Sequence, residues 1–258
     1  MRARTGKVAR GRFEGLFRVI RFNWPFYVAA VATIVAALVF LASVELTSFQ
    51  RLAVTALACI PIFFLVSSLA ASFYIYDVSD LHRWEWLIQP LPAMPETWVA
   101  FNAGYDETGG ALTGIFDARK GATFDIFDPA VFTEASIQRA RKFATHDNQK
   151  SVPLNSLPFK NSSVDAIFLI MSVHEIRARA LREIFFSELH RIARQGCRII
   201  VVEHLRNSWN FAAFGHGALH FYPRHEWIQI ASRSGLDLVD EIAKTPFVRA
   251  LVFEKKQS

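Results

Sequence analysis

Residues 157–176, LPFKNSSVDAIFLIMSVHEI, and 188–204, ELHRIARQGCRIIVVEH, place two nearly continuous apolar runs, 164–171 and 199–202, on either side of a charged stretch. Short runs of this kind suit parallel strands buried on both faces, and the stretch between them suits a crossover helix. Outward from this pair, the spacing predicts further strands at 97–101, 123–127, 151–154, 236–242 and 247–253. The last two have the pattern of a hairpin. Helical patterns fall at 106–116, 129–143, 177–193 and 224–234. Strands alternating with helices of this length specify an α/β fold with a Rossmann-like, doubly wound, mostly parallel seven-stranded sheet over residues 97–258. In such a sheet ligands gather beyond the carboxyl ends of the strands, so those positions are where function is sought.

The N-terminal third has a different composition. Residues 22–44 and 52–76 contain no Asp, Glu, Lys or Arg. Each run exceeds the roughly 20 residues needed to cross a hydrocarbon core. The seven residues between them suffice for a tight turn, so residues 22–76 are expected to form a two-helix transmembrane hairpin with Pro61 kinking the second helix. A basic tail, 1–21, precedes it with Arg2, Arg4, Lys7, Arg10, Arg12, Arg18 and Arg21 against Glu14 alone. The rest of the chain carries 22 basic and 22 acidic side chains, so the net charge of +6 belongs to that tail. Its place beside an apolar run argues for a topology signal or a lipid contact and against nucleic acid as a partner. The expectation is an integral membrane protein with two spans and both termini cytoplasmic. Residues 77–96, with Trp84 and Trp86 among charges, are expected to form a linker along the membrane surface. Two cysteines, Cys59 and Cys197, supply neither a disulfide framework nor a CxxC metal site.

At the end of the first strand, Asn102 leads into a turn containing Gly104 and Asp106, where a helix could offer its amides to a ligand. Asp125 and Asp128 follow at the position where nucleotide-binding folds put a carboxylate on ribose hydroxyls. Asp128 before Pro129 also reads as an ordinary helix entry. The fourth strand ends in His174 and Glu175 and the fifth in Glu203 and His204. His216 and His220 come soon after. His174 or His204 is the candidate general base, with Glu175 or Glu203 orienting it, and His220 joins the candidate set. No HxxxH or HExxH spacing puts two ligands on one helix face, so no metal is assigned. The aromatic-rich segment 205–222 is long for a connection and reads as a substrate lid.

The two opening stretches, with the C-terminal EWIQIASRSGLDLVDEIAKTPFVRALVFEK, resemble class I S-adenosylmethionine-dependent methyltransferases, particularly those acting on quinones, sterols and other small hydrophobic molecules. The resemblance covers residues 97–258. It implies S-adenosylmethionine as cofactor, contacts from Asn102, Gly104, Asp106, Asp125 and Asp128, and a small hydrophobic or membrane-resident acceptor with the lipid bilayer as partner. Two departures bear on the cofactor: Asp106 stands where a second glycine is usual, and Pro153 where an adenine-contacting Asp is frequent. Asn155 and Ser156 are the substitutes nearest that position. The same departures leave an inactive membrane scaffold with this fold as the alternative.

Overall fold

The computed structural model describes residues 11–103, 106, 108–117, 120–143 and 150–256. By its internal contacts the chain forms two compact units. One contains residues 80–207 and 219–256; the other contains the N-terminal helices to Ser79 together with Ser208–Ala218.

The first unit is built on seven strands: β1 (Trp98–Asn102), β2 (Gly121–Asp125), β3 (Lys150–Ser151), β4 (Val164–Ile170), β5 (Ala193–His204), β6 (Leu236–Ala243) and β7 (Val248–Lys255). They pair in the order β3-β2-β1-β4-β5-β7-β6. β1 to β5 run parallel, and β7 is antiparallel to both β5 and β6. This is the doubly wound, mostly parallel seven-stranded sheet expected from the sequence. Central strands with no solvent face explain the apolar runs in the middle of β4 and the second half of β5: Ile167, Phe168, Leu169, Ile199, Ile200 and Val201 are all buried. Helices α3 (Gly109–Ile115), α4 (Ala135–Arg141), α5 (Arg179–Ile192) and α7 (Arg224–Arg233) supply the connections. The Phe101 and Phe185 rings meet edge to face at 5.5 Å, and Phe186 stacks on Trp227 at 6.2 Å. α3 and α4 start later than the periodicity predicts because local caps intervene. Asp106 Oδ1 accepts N–H bonds from Thr108 and Gly109, and Asp128 accepts one from Ala130 before the chain turns at Pro129.

The stretch before β1 differs from expectation. Its short 3-10 turns bury Trp84, Trp86 and Leu87 within this unit instead of offering the indoles to a membrane surface. The Trp86 indole N–H donates to the Leu81 carbonyl at 3.0 Å. Lys244 lies over the Trp86 ring while pairing with Asp80 at 2.7 Å.

The second unit contains α1 (Glu14–Ser43), α2 (Ser48–Phe73) and α6 (Ser208–Phe214). At 30 and 26 residues, α1 and α2 are long and apolar enough to cross a membrane. Large apolar side chains along both, among them Val28, Leu38, Leu57 and Phe63, are exposed. Thr47 and Gln50 form a capping box that starts α2 directly after the turn. At the other end of the pair, Asp77 accepts the Gly15 and Leu16 N–H groups at 2.8 Å each, closing the start of α1 with a carboxylate. Gly15 is needed there, since a Cβ would fall 2.4 Å from that of Tyr76. The kink expected at Pro61 is absent: α2 keeps helical angles through it. The break lies in α1, at Asn23 two residues before Pro25, where the Asn23 side chain donates to the Val19 carbonyl.

Candidate functional site

The carboxyl end of β4 turns sharply. Met171 has φ +50, in the left-handed region that a non-glycine residue enters at a cost, and residues 173–175 then form one 3-10 turn. Glu203, on the neighbouring strand β5 and fully buried, explains how that turn is held. Its Oε1 accepts the N–H groups of Ser172, Val173 and His174 at 3.1, 3.0 and 3.3 Å. Its Oε2 lies 2.6 Å from His174 Nδ1. The Ser172 hydroxyl donates to the Phe101 carbonyl, tying the same turn to β1.

Beyond it the side chains form a compact polar cluster. His174 Nε2 lies 3.5 Å from Glu175 Oε1, and His220 Nε2 lies 3.8 Å from the same oxygen. The two imidazoles meet nearly perpendicular at 5.2 Å. Burial disfavours a charged His174, but the Glu203 carboxylate and then Glu175 outweigh it and hold the imidazole up at about 10. For Glu175, burial works against ionisation and loses to His174 and His220, which keep its carboxyl well below the usual range. One donor atom from each of His174, Glu175 and His220 lies within 4.8 Å of the others, a spacing that one divalent ion can bridge.

Two more residues complete the cluster: Phe221, from the aromatic segment expected as a lid, and Arg177, which sequence reasoning missed. Phe221 stacks on His204 at 4.7 Å and meets His174 and His220 edge-on. Arg177 donates to the backbone carbonyls of His174 and His220, at 3.2 and 2.7 Å, joining the two segments. The only sequence signal for Arg177 was its position directly after the fourth-strand motif. His204, considered from the sequence as a base, is buried with its ring face on Phe221. His216 falls in the other unit, against the Phe26 ring.

On the same carboxyl edge, Asn102 and Asp125 end β1 and β2 as a paired register, and both are buried. Asp125 Oδ1 accepts the Phe127 N–H and Oδ2 accepts Arg141, whose guanidinium also covers the Phe127 ring. A carboxylate has about four acceptor sites, so Asp125 retains capacity for ribose hydroxyls. Asp128 is exposed and serves the turn that precedes α4; Asp106 serves α3. Asn155 and Ser156 are exposed. Gly104 lies outside the described residues.

Residues 123–201, from β2 into β5, match the family model described as methyltransferase domain. No curated protein sequence matches the chain. Among solved structures, an S-adenosylmethionine-dependent methyltransferase from Aquifex aeolicus is similar at 16% identity. The match covers 68% of this chain and 94% of that one, with a TM-score of 0.46. Geranyl diphosphate C-methyltransferase from Streptomyces coelicolor, solved with S-adenosyl-L-homocysteine, is similar at 14% identity over 69% and 79% of the two chains, with a TM-score of 0.46. A TehB-like methyltransferase from Corynebacterium glutamicum shares 18% identity over 67% and 86%, at 0.45. Residues 123–201 thus resemble a methyltransferase domain, and they lie on a mostly parallel seven-stranded sheet.

Proposed function

We propose that this methyltransferase domain, anchored in a bilayer by α1 and α2, transfers the methyl group of S-adenosylmethionine to a small hydrophobic acceptor that the membrane holds. The observation carrying this reading is the division of one sheet edge. Asn102 and Asp125 occupy the β1–β2 end, and the His174, Glu175, Glu203 and His220 cluster occupies the β4–β5 end.

Asn102 and Asp125 are the residues that would hold the nucleoside, Asp125 through the ribose. When bound, S-adenosylmethionine supplies a methyl carbon already activated by the sulfonium. What remains for the protein is to position the acceptor and to stabilise the negative charge it develops on losing a proton. His174, Glu175 and His220 meet that need as a trio. This replaces the expected base, His174 or His204 with an orienting Glu: an imidazole held charged between two carboxylates has no vacancy for another proton at neutral pH, and His204 is buried against Phe221.

The membrane assignment is supported by the exposed apolar lengths of α1 and α2 and by the basic residues before α1, which favour a cytoplasmic N-terminus and, with two spans, a cytoplasmic domain. The segment that follows β5 adds support. α6 and the turn after it pack within the hairpin unit: the Ser67 hydroxyl donates to the Ala213 carbonyl at 2.9 Å. Gly215, at φ +55, lies against the Phe64 ring, where a Cβ would come within 2.9 Å. The lid segment expected at 205–222 is therefore held in its middle by a candidate span, which suits an acceptor that partitions into lipid.

The test supplies methyl-labelled S-adenosylmethionine and a lipid extract to membranes containing the full chain. Label is expected in an organic-soluble product with the wild type and not with Asp125→Ala. Label in no extractable product, under conditions where the cofactor binds, would contradict the acceptor class.

A further inference from the structure

The spacing within the trio is wrong for direct hydrogen bonding. The two Nε2 atoms stand 3.5 and 3.8 Å from Glu175 Oε1, beyond the 2.7–3.2 Å of good N–H···O geometry. A tetrahedral ion with metal–ligand bonds of about 2.0–2.1 Å holds its ligand atoms roughly 3.3–3.4 Å apart, a few tenths of an ångström inside the two separations from Glu175, so the side chains would close slightly onto the ion. We propose that His174 Nε2, the Glu175 carboxylate and His220 Nε2 bind one divalent transition-metal ion of the zinc class, with the fourth position left open.

Three further observations point to the same ion. Glu175 Oε2 is buried and without a hydrogen-bond partner, and its side chain is only 8% exposed. An unsatisfied carboxylate oxygen in that setting is costly unless a cation meets it. Glu203 engages His174 through Nδ1, which leaves Nε2 as the ligand atom. A carboxylate behind a metal-bound imidazole is the usual way its orientation and basicity are fixed. Charge completes the argument: Glu175 and Glu203 are both buried, while Arg177, beside them in sequence and space, spends its guanidinium on the His174 and His220 carbonyls and on Glu134. A dication that displaces the His174 Nε2 proton on binding balances the two carboxylates. Two imidazoles and one carboxylate favour zinc, iron, cobalt or nickel over magnesium or calcium.

The ligands come from one 3-10 turn and from the end of the segment following β5, so no helical spacing announces them. The open position would take an acceptor oxygen or a water, and the ion would polarise it. What fills the open position rests on the proposed methyltransferase reading, but the ion itself does not, and its test does not use activity. The full chain in detergent, stripped with a chelator and titrated with Co2+, is expected to bind one ion per chain and to show the visible bands of four-coordinate cobalt. His220→Ala, at a part-exposed position that leaves the core intact, is expected to lose those bands. Glu203→Gln is expected to weaken binding about 10–100-fold. No cobalt bands with the wild type, or bands unchanged in His220→Ala, would overturn the proposal.

Discussion

Asp125 and Glu203 are both buried carboxylates at strand ends on one edge of one sheet, and they are used differently. Glu203 is saturated: three backbone N–H groups and one imidazole consume it, and the strained turn after Met171 depends on it. Asp125 accepts one backbone N–H and one guanidinium, and keeps acceptor sites in reserve. A carboxylate that its own protein saturates is a positioning group, whereas one left partly unsatisfied is available to a ligand. The β4–β5 end is thus a fixed device, and the β1–β2 end is the one with acceptor capacity left for a ligand, which the proposed function assigns to the nucleoside.

This difference can be broken or sharpened by substitution. The largest effect is expected from Glu203→Ala, which leaves three buried N–H groups and His174 without their acceptor; a loss of about 3–5 kcal/mol in unfolding free energy is expected by denaturant titration. A loss below about 1 kcal/mol would erase the distinction. Asp125→Ala is expected to act on the ligand, lowering cofactor affinity tenfold or more, with a stability change of about 1 kcal/mol from the lost Arg141 pair. Asp128→Ala removes an exposed turn bond and is expected to cost about 0.5–1 kcal/mol with cofactor affinity unchanged. If Asp128→Ala abolished binding and Asp125→Ala did not, the ribose assignment would pass to Asp128.

The smallest signal is expected at the opposite, amino end of β5. Burial pushes the Cys197 thiol up to about 12, so its reactive thiolate is scarce at pH 8. Maleimide labelling of the folded chain is expected to leave Cys197 unmodified, with the thiol reacting only on unfolding. Rapid modification of Cys197 in the folded state would show that the sheet opens at this end.

The sheet was legible because its central strands have no solvent face: the apolar runs of β4 and β5 can be read without knowing their neighbours. The positions of His174 and Glu203 were legible for a related reason, since strand ends follow once strands are known. What a side chain does there was not. Nothing linear says that Glu203 folds back onto the backbone of residues 172–174, or that His204 turns its ring to Phe221. These outcomes depend on which strands are neighbours and on the rotamers that packing permits. The same holds for Asp106 and for Trp84 and Trp86. A carboxylate near a helix start caps it when amides are closer than any ligand, and indoles that look amphipathic in sequence are buried when a core has room for them. The misplaced kink is instructive too. Pro25 and Pro61 look equivalent in sequence, yet only α1 leaves helical angles near its proline, at Asn23.

The account rests on a nucleoside seated at the ends of β1 and β2, and equilibrium binding examines that directly. Calorimetry of the full chain in detergent with S-adenosyl-L-homocysteine is expected to give one site per chain, with affinity reduced at least tenfold by Asp125→Ala. A wild-type chain that releases no heat at millimolar nucleoside would contradict it, and would leave a membrane-anchored scaffold that has kept the fold without the chemistry.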